Sequence, residues 1–263
     1  MTNINSLENK KIKELVKLQK ANARKKTGQF LIDGLREIEL AISAGVEIKD
    51  IFYCSELASK NIPQDLKGFP VTAVSVPVFK KIIYKENSDG FLALATRKLQ
   101  TLAEIKLSKN PLIIVLESVE KPGNLGAILR SAYAGGVEAI ILNDSQTDIF
   151  NPNVIRSSEG HLFTNQLAIA TVAETVKLFK KLGIKSFAAA INKSVDYLKS
   201  DFSGPSAIIL GSEAEGLSKE WLKLADNKIK ISMKAGIDSL NVSVSAAIII
   251  FEALRQRNIS KKS

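Results

Sequence analysis

Along the first hundred residues, short apolar runs alternate with stretches at helical spacing. Residues 8–26 set Ile12, Leu15, Val16 and Leu18 among Lys10, Lys11, Lys13, Lys17 and Lys20. That spacing predicts one amphipathic helix with a basic face, ending in Arg24-Lys25-Lys26 ahead of Thr27-Gly28. Residues 30–32 read as a short strand, and 35–44 as a helix that stops at Gly45. Strands follow at 46–54 and 71–76, a short helix at 78–84 and a fourth strand at 90–96. This β/α alternation has the size of a small compact domain. Residues 97–110 are polar and lysine-bearing and end in the breaker Asn110-Pro111, which marks a linker. Beyond it the runs grow longer and more apolar. Strands are predicted at 112–116, 137–142, 167–171, 186–191, 207–210 and 228–231, and helices at 125–134, 153–160, 172–182, 195–199, 219–224 and 241–256. Near-continuous strands such as Leu112-Ile113-Ile114-Val115-Leu116 indicate a mostly parallel sheet with helices on both faces. The fold class expected is therefore α/β in two domains, residues 1–106 and 107–263, with a basic, frayed tail from Arg255 onward.

Charge narrows the partners. Lys plus Arg outnumber Asp plus Glu by 37 to 27 in 263 residues, a formal +10 that suits a polyanion such as nucleic acid, although a merely soluble basic surface gives the same excess. One cysteine, Cys54, excludes an internal disulfide and reads as a packing residue, and one histidine, His161, leaves too few ligands for the common metal sites. The N-terminus is polar and lysine-rich with no apolar signal-peptide core, and the apolar run 244–254 is too short for a membrane span, so a cytoplasmic protein is the expectation.

Three glycine-containing loops carry the candidate chemistry. The first, 117–132, follows a buried strand, where ligands of parallel sheets bind. Asn124 would cap the following helix. Arg130, on a largely apolar helix, suits a phosphate, or equally an ion pair with Glu138 or Asp144. The second is Leu210-Gly211-Ser212-Glu213-Ala214-Glu215-Gly216-Leu217, where the glycines let backbone approach a ligand and Glu213 can accept from a ribose or amine. The third, 233–245, sets Ser239, Asn241, Ser243 and Ser245 ahead of an apolar helix, more small polar groups than one helix cap requires. No phosphate-loop, dinucleotide or serine-hydrolase signature accompanies them.

In this order the loops resemble the three motifs of the SpoU (TrmH-like) RNA ribose 2′-O-methyltransferases. Asn124-Leu125-Gly126 with Arg130-Ser131-Ala132 resembles the first, Leu210 to Leu217 the second, and Ser239-Leu240-Asn241-Val242-Ser243-Val244 the third. The likeness spans roughly residues 110–257. Residues 24–34 resemble the substrate-binding domain that precedes the catalytic domain in many members. The resemblance implies a small, ribosomal L30e-like α/β domain for RNA, then a SPOUT α/β-knot domain with a deep trefoil knot, an exception to the rule against knots. It also implies S-adenosylmethionine (S-adenosyl-L-methionine) as cofactor and a homodimer with its interface beside the site. By position Leu210, Gly211, Ile231, Met233 and Leu240 would hold the cofactor, largely through backbone groups. Arg130 would act on the ribose 2′-OH, as base or through the target phosphate; the second is chemically easier because an arginine pKa stays above about 12. Asn124, Glu213, Ser239 and Asn241 would shape the site.

Three positions depart from the family pattern: Ala214 for a glycine, Ser232 for a proline, and His161 for an alanine after Arg156-Ser157-Ser158. RNA contacts are expected from Lys10, Lys11, Lys13, Arg24, Lys25, Lys26 and Arg156. Ribosomal RNA (23S) is favoured over transfer RNA by the N-terminal domain, a resistance-type methyltransferase belongs to the same group, and the competing reading is a non-catalytic RNA-binding or ribosome-assembly factor.

Overall fold

The computed structural model describes residues 2–58, 60–84, 88–145, 147–237 and 239–260. The chain divides into two compact units, one formed by Met1–Lys98 with Asp148–Thr164, the other by Leu99–Thr147 with Asn165–Ser263.

The first unit holds a five-stranded sheet of β1 (Thr2–Ile4), β2 (Gln29–Asp33), β3 (Glu47–Tyr53), β4 (Val71–Val74) and β5 (Phe91–Thr96), in the order β1-β4-β3-β5-β2. β1, β4 and β3 run parallel, and β5 is antiparallel to both β3 and β2. Helices α1 (Lys10–Lys17), α2 (Ala21–Thr27), α3 (Leu35–Ser43) and α4 (Val76–Ile82) belong to it, as do α6 (Pro152–Ser157) and α7 (His161–Thr164) from the later segment. That segment is held by apolar stacking: Phe150 lies on Phe30 with ring centroids 4.2 Å apart, and Phe163 at 6.0 Å. Cys54 is fully buried in this unit's core, where burial pushes its thiol above its ordinary value.

The basic helix predicted over 8–26 is two helices. Asn9 opens α1 by accepting from the Lys11 N–H at 2.9 Å, but Leu18, Gln19 and Lys20 bond three residues back, and Lys20 is extended before α2 begins. The break is fixed from outside the helix: Arg24 Nη1 donates to the Leu18 carbonyl at 2.6 Å.

The second unit is built on β6 (Leu112–Glu117), β7 (Ala139–Asn143), β8 (Leu167–Ile169), β9 (Lys185–Ala189), β10 (Val195–Asp196), β11 (Ser206–Leu210) and β12 (Asn227–Lys230). Their order is β10-β12-β9-β11-β6-β7-β8, and every pairing is parallel. All six residues of β6 and all five of β7 and β11 are buried, as strands covered on both faces must be. Helices α5 (Pro122–Ala134), α8 (Val172–Leu182), α9 (Lys219–Leu224) and α10 (Val242–Ser260) supply the cover. α8 matches its predicted span because its ends are written locally. Thr171 and Glu174 form a capping box, and Gly183 closes the C-terminus at φ 65°.

Two expectations for this unit are corrected. Residues 195–199 form β10 and a short 3₁₀ turn rather than a helix, because Val195 pairs with Ile229 and Asp196 accepts from the Leu198 N–H at 2.9 Å. The chain from Arg255 to Ser260 is not frayed but the end of α10, anchored by Arg257, whose guanidinium donates to the carbonyls of Asn110, Pro111, Phe202 and Gly204. Residues 261–263 lie outside the described residues.

Candidate active site

Because β6, β11 and β12 run parallel, their C-terminal ends open on one edge of the sheet, and each delivers a candidate loop. β6 ends in Glu117, a buried carboxylate closing an otherwise apolar strand, and it accepts from the Ser218 N–H at 2.8 Å. That bond ties the exit of the second loop to the first. It was readable in the sequence as the one ionisable residue at the end of an apolar run, but was not singled out.

The first loop enters α5 at Pro122 with Lys121 in the capping position, so Asn124 lies inside the opening turn and does not cap the helix as expected. The Asn124 amide donates to the Glu213 carboxylate, and its Oδ1 accepts from Asn241 Nδ2 at 3.1 Å. Asn241 Oδ1 accepts in turn from the N–H and the hydroxyl of Ser243 at 2.9 and 2.6 Å, which caps α10. One asparagine thus joins all three loops: Asn124 from the first, Glu213 from the second, Asn241 from the third. Ser239 is exposed beside Asn241 and makes no side-chain hydrogen bond among the described residues; Asp238 lies outside them.

The second loop is a tight hairpin. Ser212 and Gly216 exchange both backbone bonds at 3.1 Å, and Ser212 Oγ accepts from the Glu215 N–H. Glycine at 211 was expected to let a ligand approach, but the close approach is to the chain itself. A Cβ there would lie 2.1 Å from the Gly216 carbonyl oxygen and 2.5 Å from the Leu217 nitrogen. Gly216 has φ 70°, the left-handed conformation the turn requires. Ala214, exposed at the tip, stands where the family pattern has glycine and adopts ordinary backbone angles.

Of the positions expected to hold the cofactor, Leu210 is the buried last residue of β11 with Gly211 next to it, Ile231 directly follows β12, Met233 is 36% exposed and Leu240 is half-buried ahead of α10. The backbone groups of Met233 and Leu240 have no hydrogen-bond partner among the described residues. Loop amides and carbonyls beside apolar side chains make a donor set that fits an adenosine better than a phosphate or a metal. Among the described residues no cluster of His, Cys, Asp and Glu could hold a metal ion. Ser232 Oγ donates to Asp196, and this bond, with the one from the Leu198 N–H, holds the Asp196 carboxyl below the usual carboxylate range. It fastens the third loop's approach to β10.

Arg130 lies on α5 six residues beyond Asn124, about 9 Å further along the axis, and is exposed. The Glu138 carboxylate, one of its expected partners, accepts from the N–H and hydroxyl of Ser108 at 2.7 Å. In the first unit, Arg156 is exposed on α6, and His161 is half-buried with Nδ1 3.2 Å from Thr164 Oγ1.

The residues expected to meet RNA sort differently from their spacing. Arg24 is only 4% exposed and is taken up by Asp148 and the Leu18 carbonyl, so it is structural rather than a surface contact. Its two neighbours Lys25 and Lys26 are exposed, as is Lys10. Lys11 pairs with the buried Asp50 and lies over the Phe52 ring, and Lys13 pairs with Glu8.

The chain is similar to known proteins over both of its parts. Residues 111–251 match the SpoU rRNA Methylase family, and residues 9–93 match the MRM3-like substrate binding domain. RlmP of Bacillus subtilis (strain 168), a 23S rRNA (guanosine(2553)-2′-O)-methyltransferase, is 29% identical over 252 residues, 95% of this chain and 98% of its own. The crystal structure of an RNA 2′-O ribose methyltransferase is similar at TM-score 0.83 and 37% identity, covering 98% of this chain and all of that one. An AdoMet-bound rRNA methyltransferase from Sinorhizobium meliloti gives TM-score 0.87 at 28% identity over 97% of both chains.

Proposed function

This chain belongs to the SpoU rRNA methylase family, and on that premise we propose that it methylates a ribose 2′-OH in structured RNA with S-adenosylmethionine as donor. The substrate read as best supported is 23S ribosomal RNA, the substrate named for the relative that aligns over nearly the whole chain.

The observation that carries this reading is the bond chain Glu213–Asn124–Asn241, which draws the three loops together at the C-terminal edge of the parallel sheet. A protein that only bound RNA would have no need to lock these loops to one another. Leu210, Gly211, Ile231, Met233 and Leu240 are the residues we assign to the cofactor, through loop backbone for the adenosine and apolar contact for its rings. When bound, the cofactor supplies a methyl group on an already activated sulfonium. The protein's part is then alignment and exclusion of water. Arg130, exposed on α5, is assigned to the phosphate beside the target ribose, which orients the 2′-OH toward the methyl group. Asn124, Glu213 and Asn241 hold the loops in register, and Ser239, exposed beside Asn241, is assigned to the wall of the site.

We take residues 1–106 as the RNA-gripping part and 107–263 as the catalytic part with its knotted C-terminal region. The working form is read as a cytoplasmic homodimer without a metal. Support for the dimer comes from α10, where Val244 and Phe251, two helical turns apart on one face, are 47% and 48% exposed, and from Tyr133 on α5, 50% exposed. The direct test is transfer of labelled methyl from S-adenosylmethionine to total bacterial RNA, digested to nucleosides. Label in a 2′-O-methylated nucleoside of 23S RNA supports the reading. Label in a base, or none with cofactor bound and 23S RNA and ribosomal particles supplied, overturns it.

A further inference from the structure

The cations of the first unit do not all face a counter-ion. Lys11, Lys13, Lys49, Arg24 and Arg36 each sit against a carboxylate, namely Asp50, Glu8, Glu47, Asp148 and Glu159. Several others, Lys10, Lys25 and Lys26 among them, are exposed and make no ion pair among the described residues, and so are four on α1, on α4 and at the corner after α1, namely Lys17, Lys20, Lys80 and Lys81.

These four are not scattered. Gln19, between Lys17 and Lys20 in the chain, donates its side-chain amide to the carbonyls of Lys81 and Ile83, at 3.2 and 3.4 Å. That bond clips the corner between α1 and α2 to the end of α4, over a shared core containing Ile12, Leu15, Leu18, Phe79 and Ile82. Lysines in a last helical turn ordinarily compensate the helix dipole and its open carbonyls. Here the Gln19 amide already occupies two carbonyls at this helix end, so the ammonium groups of Lys80 and Lys81 are left to solvent.

Beside them stands Tyr84, 50% exposed, its backbone N–H pinned to Asp33 Oδ2 at 3.2 Å. Among the described residues it is the one exposed aromatic side chain of the first unit; Phe30, Phe52, Phe79, Phe91 and Phe163 are all buried. A half-exposed ring in the same stretch as these lysines offers its open face as a platform for a base.

We infer that Tyr84, with Lys17, Lys20, Lys80 and Lys81, receives an unpaired nucleotide of the RNA: a base stacks on the ring while flanking phosphates meet the lysines. The inference rests on the RNA-methylation reading and adds to it the form of RNA gripped by this unit, a loop or bulge rather than a continuous duplex. It also moves the expected contact surface away from Lys11, Lys13 and Arg24.

Filter binding of the full chain to a short oligouridylate and to a duplex RNA of equal length tests this. The single strand should bind more tightly. Tyr84→Ala should weaken it roughly tenfold, and Tyr84→Phe should restore the wild-type value. Replacing both Lys80 and Lys81 by Ala should lower the salt slope for the single strand by about 1.4, some 0.7 per phosphate neutralised. Lys49→Ala, whose ammonium is already paired, should leave the slope unchanged. Equal affinity for strand and duplex, or a Tyr84→Ala variant that binds and methylates RNA like wild type, overturns the platform alone. A wild-type protein that binds S-adenosylmethionine but no RNA contradicts the methylation reading beneath it.

Discussion

Asn124→Asp is the sharpest perturbation of the proposed site, because it preserves shape and removes one donor. In the native site the Asn124 amide donates to Glu213 while its oxygen accepts from Asn241. Aspartate keeps the acceptor, so the Asn241 bond persists. The other arm becomes a carboxylate facing a carboxylate. The lost bond to a charged acceptor is worth about 1.5–3 kcal/mol. Two unit charges 4 Å apart at a surface-like effective dielectric of 20 repel by about 4 kcal/mol. Glu213 is exposed and can rotate into water, so most of that repulsion is relieved by releasing the second loop. A negative charge in the first turn of α5 returns roughly 0.3–1 kcal/mol through the helix dipole. The net is about 1–3 kcal/mol against the assembled loops, or a cofactor bound roughly fivefold to 150-fold more weakly. Asn124→Ala removes both bonds and gains nothing from the helix dipole, so affinity should fall in the order Asn, Asp, Ala. Adding Glu213→Gln to Asn124→Asp restores a donor opposite an acceptor and should recover most of the loss, a coupling that independent sites would not show. Titration calorimetry of S-adenosylmethionine against the four proteins reads this directly. Equal affinity of Asn124→Asp and wild type, or no recovery in the double variant, would refute the argument that this bond assembles the site.

Other substitutions have comparably direct readouts. Gly211→Ala drives a Cβ into the Gly216 carbonyl, so it should open the hairpin and abolish cofactor binding while the thermal midpoint falls only modestly; calorimetry with a melting curve separates the two. Arg257→Leu strips four carbonyls of their donor and should cost roughly 3 kcal/mol, a drop of about 6–12 °C in Tm for a unit of this size, and a change below 2 °C would mean those bonds contribute nothing net. Phe251→Asp should convert a dimer to monomer in sedimentation equilibrium, and an unchanged mass would move the interface off this face of α10.

How much of this was legible in the sequence depends on whether its cause was local. β6 announces itself as Leu112-Ile113-Ile114-Val115-Leu116, and α8 carries both its stops in Thr171, Glu174 and Gly183. The break at Leu18 carries no such mark: apolar spacing runs through it, and what enforces it is Arg24 reaching a carbonyl six residues back. Arg24 itself is indistinguishable in sequence from Lys25 and Lys26, since its partner Asp148 lies 124 residues away. β10 could not be separated from a helical turn because a two-residue edge strand exists only through its pairing with β12. In the site, residue types at Asn124, Glu213 and Asn241 were readable, but their bonds join positions 89 and 117 residues apart and leave no periodic trace. Gly211 was readable as a close approach, though not as one to the chain's own backbone.

In the proposed site Arg130 positions the ribose and the three loops assemble around it. Single-turnover methyl transfer from labelled S-adenosylmethionine to 23S RNA, with wild type and Arg130→Ala in parallel and cofactor affinity measured on the same samples, tests it most directly. The expected result is a labelled 2′-O-methyl nucleotide from wild type, transfer lowered by at least about a hundredfold in Arg130→Ala, and cofactor affinity within about twofold of wild type. Arg130→Ala methylating at the wild-type rate would contradict it.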